Sequence, residues 1–283
     1  MNLAIIGYGF VGAALKSAIK EDVKVFLVDP KLNTSIADLK SFKPDIIFIS
    51  VPTPMQNNGD QDLSILSNVI KEIKKIKLTV SVVIKSTVLP NNISVIKNLI
   101  PNIIYNPEFL REISASDDLI SAESIIIGGN KNDTQMLEDF YRQHTLCKCK
   151  KYIHTDIITA SFVKYTINTF LASKVTFFNE IHKLFVKSNP QSSWKSFVEI
   201  VSEDKRIGDS HMEVPGPDGR FGFGGACFPK DSQAFINYAN SIKEKLLVLE
   251  KVVEVNNEIR NKYESVTSRE TNQNINFNFK KNN

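Results

Sequence analysis

The N-terminal segment of the chain constrains its fold more than any other segment. An apolar run at residues 2–6 leads directly into the glycine motif GYGFVG, Gly7–Gly12, and residues 13–19 continue with apolar residues at helical spacing. A second apolar run, residues 23–28, ends at Asp29. A strand, a glycine turn, a helix, a second strand and a terminal acid, in this order, are typical of a dinucleotide-binding βαβ unit.

The residue types of this unit indicate which cofactor it binds. The glycines allow a tight turn, the approach of a pyrophosphate and close helix–strand packing, and the helix N-terminus offers unpaired N–H groups to phosphates. Asp29 would bind an adenosine ribose hydroxyl and repel a 2′-phosphate, which favours NAD over NADP, and the nearby Lys31 weakens that preference slightly. The cofactor-binding residues predicted here are Gly7, Gly9, Phe10, Val11, Gly12, Asp29 and Lys31.

Short apolar strands continue to alternate with helices after this unit. We predict further strands at residues 45–50, 80–84, 103–105 and 124–127, and a helix at residues 63–76. Nearly continuous apolar strands indicate a parallel sheet buried on both faces, and polar motifs follow these strands at their carboxyl ends, where open α/β sheets bind ligands. The sequence therefore predicts a Rossmann-type, doubly wound parallel sheet, an NAD-binding domain, over residues 1–154.

The pattern changes near residue 155. Residues 155–189 contain no proline or glycine and have helical apolar spacing, which predicts one long connecting helix that Asp156 caps and Pro190 ends. Further helices are predicted at residues 194–201, 232–243 and 245–263. We predict an all-helical second domain, with a dimerisation role, over residues 155–264. The polar, asparagine-rich tail at 265–283 is expected to be disordered.

A cysteine in a glycine-rich loop is the strongest sign of chemistry. Cys227 follows Gly224-Gly225 and precedes Lys230-Asp231. A fixed cation makes a nearby thiol easier to ionise, the thiolate is the nucleophile, and the aspartate can act as a base. The grouping predicts covalent catalysis by Cys227, rather than the small buried hydrophobe that a cysteine often is.

Two other polar residues share a face of the predicted long helix. Lys164 and Asn168 have i, i+4 spacing and together could hold and polarise a substrate oxygen. The simpler alternative is a solvated surface pair, and the residues alone leave both open.

Charge and composition argue against several other classes. The net charge of +4 is too small, and the lysines too scattered, to indicate nucleic-acid binding. No apolar run approaches the ~18 residues of a membrane span. We expect no signal peptide, and the three cysteines suit a reducing compartment, so a cytoplasmic location is predicted. The four histidines form no ligand-spaced pair, so no metal is expected.

Seven ordered motifs together resemble the nucleotide-sugar 6-dehydrogenases of the UDP-glucose/GDP-mannose dehydrogenase family. They are Gly7–Gly12, Val51–Pro54, Lys85–Pro90, Asn106–Glu112, Lys164 with Asn168, Asp204–Gly208 and Phe223–Asp231. Residues 211–220 look closer to the UDP-glucose branch than to the GDP-mannose branch. The resemblance implies a four-electron, NAD-dependent oxidation of a sugar C6 alcohol to the uronic acid, through a thiohemiacetal and a thioester at Cys227.

The resemblance also implies roles for individual residues. Lys164 and Asn168 would stabilise oxyanions, Asp231 and Thr87 would position water, and Glu112 would assist as acid or base. Further cofactor-binding residues would be Val51, Thr53, Ser86, Thr87 and Lys230. Substrate-binding residues would be Glu108, Phe109, Leu110, Arg111, Lys164, Asn168, Arg206, Phe223, Gly224 and Gly225.

Simpler structural roles compete with several of these assignments. Glu108 and Glu112 could be helix N-terminal acids, Thr87 could end a strand, and Asp231 could cap a helix. The resemblance further implies a homodimer through the helical domain, in which Arg206 reaches the substrate of the neighbouring subunit.

Two departures from the family pattern bear on activity. Full-length members carry a third, C-terminal Rossmann-like domain, and nothing after residue 263 alternates strand and helix. We expect either a separate polypeptide that supplies this domain, a different mode of substrate binding, or a truncated copy. Ser161 also replaces a glutamate common at that position. The alternatives are therefore a two-electron dehydrogenase of the β-hydroxyacid type and a non-catalytic NAD-binding subunit.

Overall fold

The computed structural model describes residues 1–278 and divides into two compact units. The first comprises residues 1–53 and 62–164, and the second comprises residues 54–61 together with the chain from residue 165 onward. The main division falls between Lys164 and Tyr165, somewhat later than the boundary that the sequence predicted, and the short segment after Thr53 belongs to the helical unit.

The first unit is built on a single sheet. Within residues 1–278 its strands are β1 (Asn2–Ile6), β2 (Lys24–Val28), β3 (Ile46–Ile49), β4 (Ser81–Ile84), β5 (Ile103–Tyr105), β6 (Ser124–Gly128) and β7 (Lys151–Thr155). They lie in the order β2-β1-β3-β4-β5-β6-β7, and every neighbouring pair is parallel except β5 and β6. The predicted Rossmann-type sheet is confirmed, with this antiparallel pair as a departure.

Two features of the far edge of the sheet differ from the sequence prediction. β5 and β6 are joined by a single antiparallel bridge, Tyr105 to Gly128, and the connection between them contains a 3₁₀ turn and a short α-helix. β7 was not predicted, because it is an edge strand whose residues are half-buried or exposed and so lack a continuous apolar run.

Helices cover both faces of the sheet. In chain order they are α1 (Phe10–Ala18), α2 (Leu39–Phe42), α3 (Ser64–Ile76), α4 (Pro90–Leu99), α5 (Ala115–Ile120) and α6 (Lys131–His144). Successive strand residues point to opposite faces, so Ile47 packs in the layer of α3 and α4, whereas Phe48 packs in the layer of α1 and α6. The central strands are apolar at nearly every position because both of their faces are buried.

The second unit is helical within the described residues. Its helices are the later part of α7 (Ile157–Lys187), then α8 (Trp194–Ser202), α9 (Phe228–Ser241), α10 (Leu247–Arg260) and α11 (Ser268–Thr271). Asp156 Oδ1 accepts hydrogen bonds from the backbone N–H groups of Ile158 and Thr159, both at 2.9 Å, and so caps α7 as predicted. α9 begins at Phe228, four residues before the predicted start, because Pro229 is well tolerated in a first helical turn.

The segment from residue 54 to residue 61 contacts the helical unit at several points. Asn237 Nδ2 donates hydrogen bonds to the carbonyl of Asn58 and to Asp60, at 3.1 and 2.7 Å. The Gln61 side chain donates to the Tyr165 hydroxyl at 3.1 Å. This loop lies between β3 and α3 in sequence, but its contacts explain its assignment to the second unit.

The C-terminal segment differs from the sequence prediction. The disordered tail was predicted for residues 265–283, yet residues 265–278 contain α11, and Ile275 and Phe277 are buried with Met55. The polar composition of this segment gave the prediction of disorder. Ile275, Phe277 and Glu270 are nevertheless buried. Residues 279–283 lie outside the described residues. Among residues 1–278, no helix is both long and apolar enough to cross a membrane.

Candidate active site

The three glycines of the N-terminal motif meet different steric constraints. Gly7 has φ +90°, and a Cβ there would lie 2.8 Å from the backbone carbonyl of Ser50. A Cβ at Gly12 would overlap the carbonyl oxygen of Gly7, whereas a Cβ at Gly9 would meet nothing within 4 Å. Gly7 and Gly12 therefore allow the turn and its packing, and the open space at Gly9 leaves room for a ligand to approach the backbone.

The start of α1 faces this open space. Gly9 is the N-cap and has no side chain to accept from the first helical N–H groups, so the groups of the first turn, which includes Phe10 and Val11, are available to an anion. These features fit the pyrophosphate of a dinucleotide, the group that the motif predicts.

Asp29 is fixed at the carboxyl end of β2. Its Oδ2 accepts from the backbone N–H of Tyr8 at 2.8 Å, and its Oδ1 accepts from the N–H of Lys31 at 2.9 Å. The carboxylate is thus held beside the glycine turn, as a ribose-binding acid requires. The Lys31 side chain is exposed.

The loops after β3 and β4 are tied together by hydroxyl groups. The Thr53 hydroxyl donates to the carbonyl of Thr87 at 2.9 Å, and the Ser86 hydroxyl donates to the carbonyl of Val51 at 2.6 Å. The structure thus brings together these four predicted cofactor residues, all of them buried, at the carboxyl edge of the sheet. Their roles toward a cofactor stay predictions.

Lys164 forms a buried ion pair with Glu108. The two charged atoms are 3.2 Å apart, Lys164 Nζ also donates to the Glu108 carbonyl, and the ammonium lies 5.0 Å from the centre of the Phe109 ring. Glu108 in turn accepts from the N–H of Leu110. Because Lys164 and Asn168 are only 2% and 6% exposed, the solvated surface pair is the wrong alternative.

A second buried lysine was not predicted as a site residue. Lys85 Nζ donates to Asn106 Oδ1 at 2.9 Å and to the Tyr141 hydroxyl at 3.3 Å, and no carboxylate accepts from it directly in the hydrogen bonds of the described residues. Burial lowers the pKa of Lys85 to about 8; Glu108 opposes this shift and Lys164 adds to it. A lysine that directly follows an apolar strand was the signal in the sequence.

The rest of the predicted substrate loop is more exposed. Arg111 pairs with Asp118 at 2.7 Å, and this guanidinium, through its hydrogen bond, holds the pKa of the Asp118 carboxyl below its ordinary value. Glu112 starts a short 3₁₀ turn and is exposed. Ser161 Oγ donates to the buried carbonyl of Val88 at 2.6 Å, which gives this short side chain a structural role.

Cys227 immediately precedes α9 in the second unit and is half-buried. Lys230 Nζ lies 2.6 Å from Asp231 Oδ1, and Asn168 Nδ2 donates to Asp231 Oδ2 at 2.6 Å. The charge of Lys230 is therefore compensated by a carboxylate that is 1% exposed. The predicted alternative that Asp231 caps this helix is wrong, because the N-cap of α9 is Cys227 and no side chain caps it; Asp231 lies inside the first turn, where the helix dipole stabilises an anion.

The glycine-rich loop before Cys227 is held by side chains. Asn179 Oδ1 accepts from the N–H of Gly222 at 2.9 Å. The Asn256 side chain accepts from the N–H of Phe223 at 2.6 Å and donates to its carbonyl at 3.0 Å. Sequence reasoning did not identify Asn179 or Asn256 as site residues, since their only signal is a buried amide at a helical position.

Arg206 lies on an exposed loop of the helical unit. It pairs with Asp204 at 2.5 Å, and its side chain is 89% exposed. Lys174 on α7 anchors the same loop by donating to the carbonyls of Ile207 and Gly208. The predicted reach of Arg206 to a second subunit stays a prediction.

The fold and these loops define a class: a Rossmann-type dinucleotide-binding unit followed by a helical unit with a cysteine at a helix start. The model of the UDP-glucose/GDP-mannose dehydrogenase family, NAD binding domain, matches residues 31–145, and that of the central domain of the same family matches residues 158–258. Because the two ranges together cover more than half of the 283 residues, the chain belongs to this family.

Individual relatives agree with this assignment. The UDP-glucose 6-dehydrogenase YwqF of Bacillus subtilis is 31% identical over 259 residues, which cover 87% of this chain and 56% of the relative. The chain spans about half the length of the curated relatives it matches.

Solved structures extend the comparison to the fold. A UDP-glucose dehydrogenase from the archaeon Pyrobaculum islandicum superposes with a TM-score of 0.74 at 26% identity, covering 91% of this chain and 68% of that one. The 3-hydroxyisobutyrate dehydrogenase of Mycobacterium tuberculosis superposes with a TM-score of 0.71 at 14% identity, covering 98% and 96%; this likeness shows the fold alone.

Proposed function

We propose that this chain carries the NAD-binding and covalent centres of a nucleotide-sugar 6-dehydrogenase, with UDP-glucose as the preferred substrate. The observation that carries the proposal is the position of Cys227, at the start of α9 and inside the range matched by the family's central domain. The relatives named UDP-glucose 6-dehydrogenase favour UDP-glucose among the possible sugars.

The N-terminal unit would hold the cofactor. Gly9 and the first turn of α1 would bind the pyrophosphate, and Asp29 would accept from the adenosine ribose hydroxyls. Bound NAD would accept a hydride in each of two oxidation steps. The fixed Asp29 carboxylate would disfavour a 2′-phosphate, which supports NAD over NADP.

Cys227 would act as the nucleophile between the two oxidations. Its thiolate would form a carbon–sulfur bond to the C6 aldehyde, giving a thiohemiacetal that has a hydrogen on carbon to lose as hydride. Removal of that hydride leaves a thioester. Water then adds to the thioester carbon, the carbon–sulfur bond breaks, and the uronic acid and the Cys227 thiol are released.

The neighbouring polar groups would support these steps. Lys164 and Asn168 would stabilise the oxyanions, Asp231 and Thr87 would position the water, and Glu112 would assist proton transfer. The hydrogen bond from Asn168 to Asp231 supports a shared role for these two residues.

The substrate and a second copy of the chain complete the proposal. Glu108–Arg111 and Phe223–Gly225 would contact the sugar nucleotide, and Arg206 would reach it from a partner. Phe170, Phe177 and Leu184 are exposed on α7 at seven-residue spacing, which supports helix–helix association in a homodimer. Sedimentation analysis tests this: a monomer at micromolar concentration argues against it.

The direct test is incubation with NAD and a panel of UDP- and GDP-sugars, with products identified by mass. We expect the uronic acid and two NADH per sugar. Cys227→Ser is expected to abolish acid formation while leaving NAD affinity near that of the unsubstituted protein. Loss of NAD binding in this variant would instead indicate a structural cysteine.

A two-electron dehydrogenase of the β-hydroxyacid type is the second candidate. The fold likeness to the Mycobacterium tuberculosis enzyme shows that the two chains share a fold, and it carries no argument about substrate. One NADH per turnover, unaffected by Cys227→Ala, would select this candidate. Cofactor binding without turnover on any nucleotide sugar, even with a supplied C-terminal domain, would indicate a non-catalytic subunit.

A further inference from the structure

A buried ion pair lies beyond the range that the family models match. Arg260 ends α10 and Glu270 belongs to α11, whereas the central-domain match ends at residue 258. Arg260 Nη2 and Glu270 Oε1 are 2.6 Å apart, and the two residues are 3% and 0% exposed. Both residues therefore lie outside the range on which the family assignment rests.

The pair touches the backbone of the cysteine loop. Glu270 Oε1 accepts from the N–H of Gly225 at 3.2 Å. A Cβ at Gly224 would overlap both Arg260 Nη2 and Glu270 Oε1, so the loop backbone lies directly on the two charged groups. Cys227 follows two residues after this contact.

Glu270 is itself fixed by several contacts of its segment. Its Oε2 accepts from the N–H of Thr267 at 2.6 Å in a capping box, and its carbonyl accepts from the N–H of Ile275 at 2.9 Å. Further along, Gln273 accepts from the N–H of Met55 at 3.0 Å. The carboxylate is therefore presented to Gly225 in one orientation.

Stability alone does not account for this arrangement. Replacing both members of a buried ion pair by apolar side chains of similar size is often neutral or stabilising. Arg260 also binds Asp218, at 2.8 Å, so one guanidinium bridges two carboxylates on either side of the loop in sequence. The guanidinium therefore ties the segment before the glycine-rich loop to the segment after α10.

We propose that Glu270, held by Arg260, is a positioning residue for Cys227: the pair fixes the Gly224-Gly225 backbone and so keeps the sulfur at the start of α9. This inference rests on the proposed nucleophilic role of Cys227. Asn179 and Asn256, which lie within the range that the central-domain model matches, bind the N–H groups of Gly222 and Phe223. Glu270, from the C-terminal segment, binds the N–H of Gly225, which is nearer to the cysteine.

Two double variants that differ in one acceptor group test the proposal. Arg260→Met with Glu270→Leu removes both charges and the acceptor for Gly225. Arg260→Met with Glu270→Gln removes both charges but keeps a side-chain oxygen at that position. The readout is the rate of Cys227 alkylation by iodoacetamide, resolved by peptide mass spectrometry, with Cys147 in the same sample as the internal reference.

We expect the leucine variant to alkylate Cys227 at least ~threefold faster relative to Cys147, because the loop opens locally, and the glutamine variant to stay within about twofold of the unsubstituted protein. Glu254→Ala is the control, since it breaks an exposed ion pair with Lys251 on the same helix. A folded leucine variant with an unchanged ratio overturns the proposal.

A measurement on the unsubstituted protein keeps the test decisive if both double variants unfold. The Gly225 amide should exchange its hydrogen as slowly as the Phe223 amide, because each donates to a buried side chain. Rapid exchange at Gly225 alone overturns the proposal.

Failure of this inference and failure of the proposed function give different results. Alkylation requires no turnover, so a chain that oxidises no nucleotide sugar still reports whether the pair positions Cys227. If the unsubstituted protein is active, the leucine variant should lose about tenfold in kcat with an unchanged KM for NAD. Normal turnover with unchanged alkylation would reject the positioning role alone.

Discussion

The glycine turn of the first unit and the glycine-rich loop of the second achieve the same result by different means. Each places backbone and polar groups with accuracy next to a helix start. The tightest steric contact of the turn at Gly7–Gly12 is local, since Gly12 packs on the carbonyl of Gly7 five positions earlier, although Asp29 and Ser50 also contact the turn. The loop at 222–225 is held by Asn179, Asn256 and Glu270, which lie 43, 33 and 45 positions away in sequence.

The difference shows which kind of site a sequence can disclose. A turn in which one glycine packs on another five positions away leaves a local pattern, because the spacing of the two glycines is read directly from the sequence. A loop held by distant side chains has no such pattern, because each acceptor is an ordinary residue until the fold brings it near. Substitutions in the glycine turn should therefore act through steric overlap, and substitutions at the glycine-rich loop should act through the loss of remote hydrogen bonds.

Gly12→Ala should have the largest effect. A Cβ there overlaps the Gly7 carbonyl oxygen, so we expect the unit to lose about 3 kcal/mol or more of unfolding free energy and to lose NAD binding. Gly9→Ala is the matched control for stability alone, because its Cβ meets no protein atom within 4 Å. Denaturant unfolding measures the stability of both variants, and NAD titration measures binding by Gly12→Ala. Equal unfolding midpoints of the two variants would contradict the steric account.

Asn256→Ala should destabilise through the remote contacts. It leaves both the N–H and the carbonyl of Phe223 without their buried partner, at a cost of about 2 kcal/mol, and should accelerate hydrogen exchange across residues 222–225. Asn257→Ala, at the next position of α10, is the control. Equal stability of the two variants would mean that the loop does not depend on this side chain.

Asp29→Ala should act on the ligand more than on the fold. We expect NAD affinity to fall by about tenfold, equivalent to roughly 1.4 kcal/mol, because the ribose hydroxyls lose their acceptor. Asp29→Asn keeps one acceptor oxygen and should lose less. Calorimetric titration measures both, and an unchanged dissociation constant in the alanine variant would refute the ribose role.

Lys85 should give the smallest effect, which appears as a pH dependence. Its folded-state pKa, about 8, lies below the ordinary value of 10.5, so the unfolded chain binds more protons between these values and stability rises with pH across that window. Near pH 8 the slope should be roughly 0.7 kcal/mol per pH unit, since about half of the folded molecules have lost the proton.

The matched variant for this effect is Lys85→Met. It leaves Asn106 Oδ1 with the Tyr141 hydroxyl as its donor, so the local network stays satisfied. Urea unfolding at pH 7.5 and 8.5 should show the rise in the unsubstituted protein and a smaller rise in the variant. If the unfolding free energy of the two proteins changed equally with pH, a group other than Lys85 would be responsible for the change.

Much of the fold followed from local patterns in the sequence. The strand–glycine–helix order, the capping of α7 by Asp156 and the apolar central strands were each determined by neighbouring residues, and each was predicted. β7 was not, because an edge strand needs no apolar run. The start of α9 was misplaced because the glycines before Cys227 made the whole segment resemble a loop.

The site was predictable only in part for the same reason. Cys227, Lys230 and Asp231 lie within five positions of one another, which draws attention to them, but no pattern in the sequence indicates that Lys230 and Asp231 neutralise each other. Lys85 and Glu270 were overlooked because burial, rather than residue type, makes them unusual. The packed segment 265–278 was hidden by its polar composition.

The assignment of the eight residues 54–61 to the helical unit has a consequence for chimeric proteins made from this chain and its relatives. The polypeptide enters the helical unit at Pro54, leaves it at Gln61 and returns at Tyr165, so three peptide junctions, not one, separate the two units. A chimera joined only at residue 164 would pair a borrowed helical unit with a mismatched loop opposite Asn237 and Gln273. Successful recombination should therefore require that residues 54–61 travel with the helices they contact.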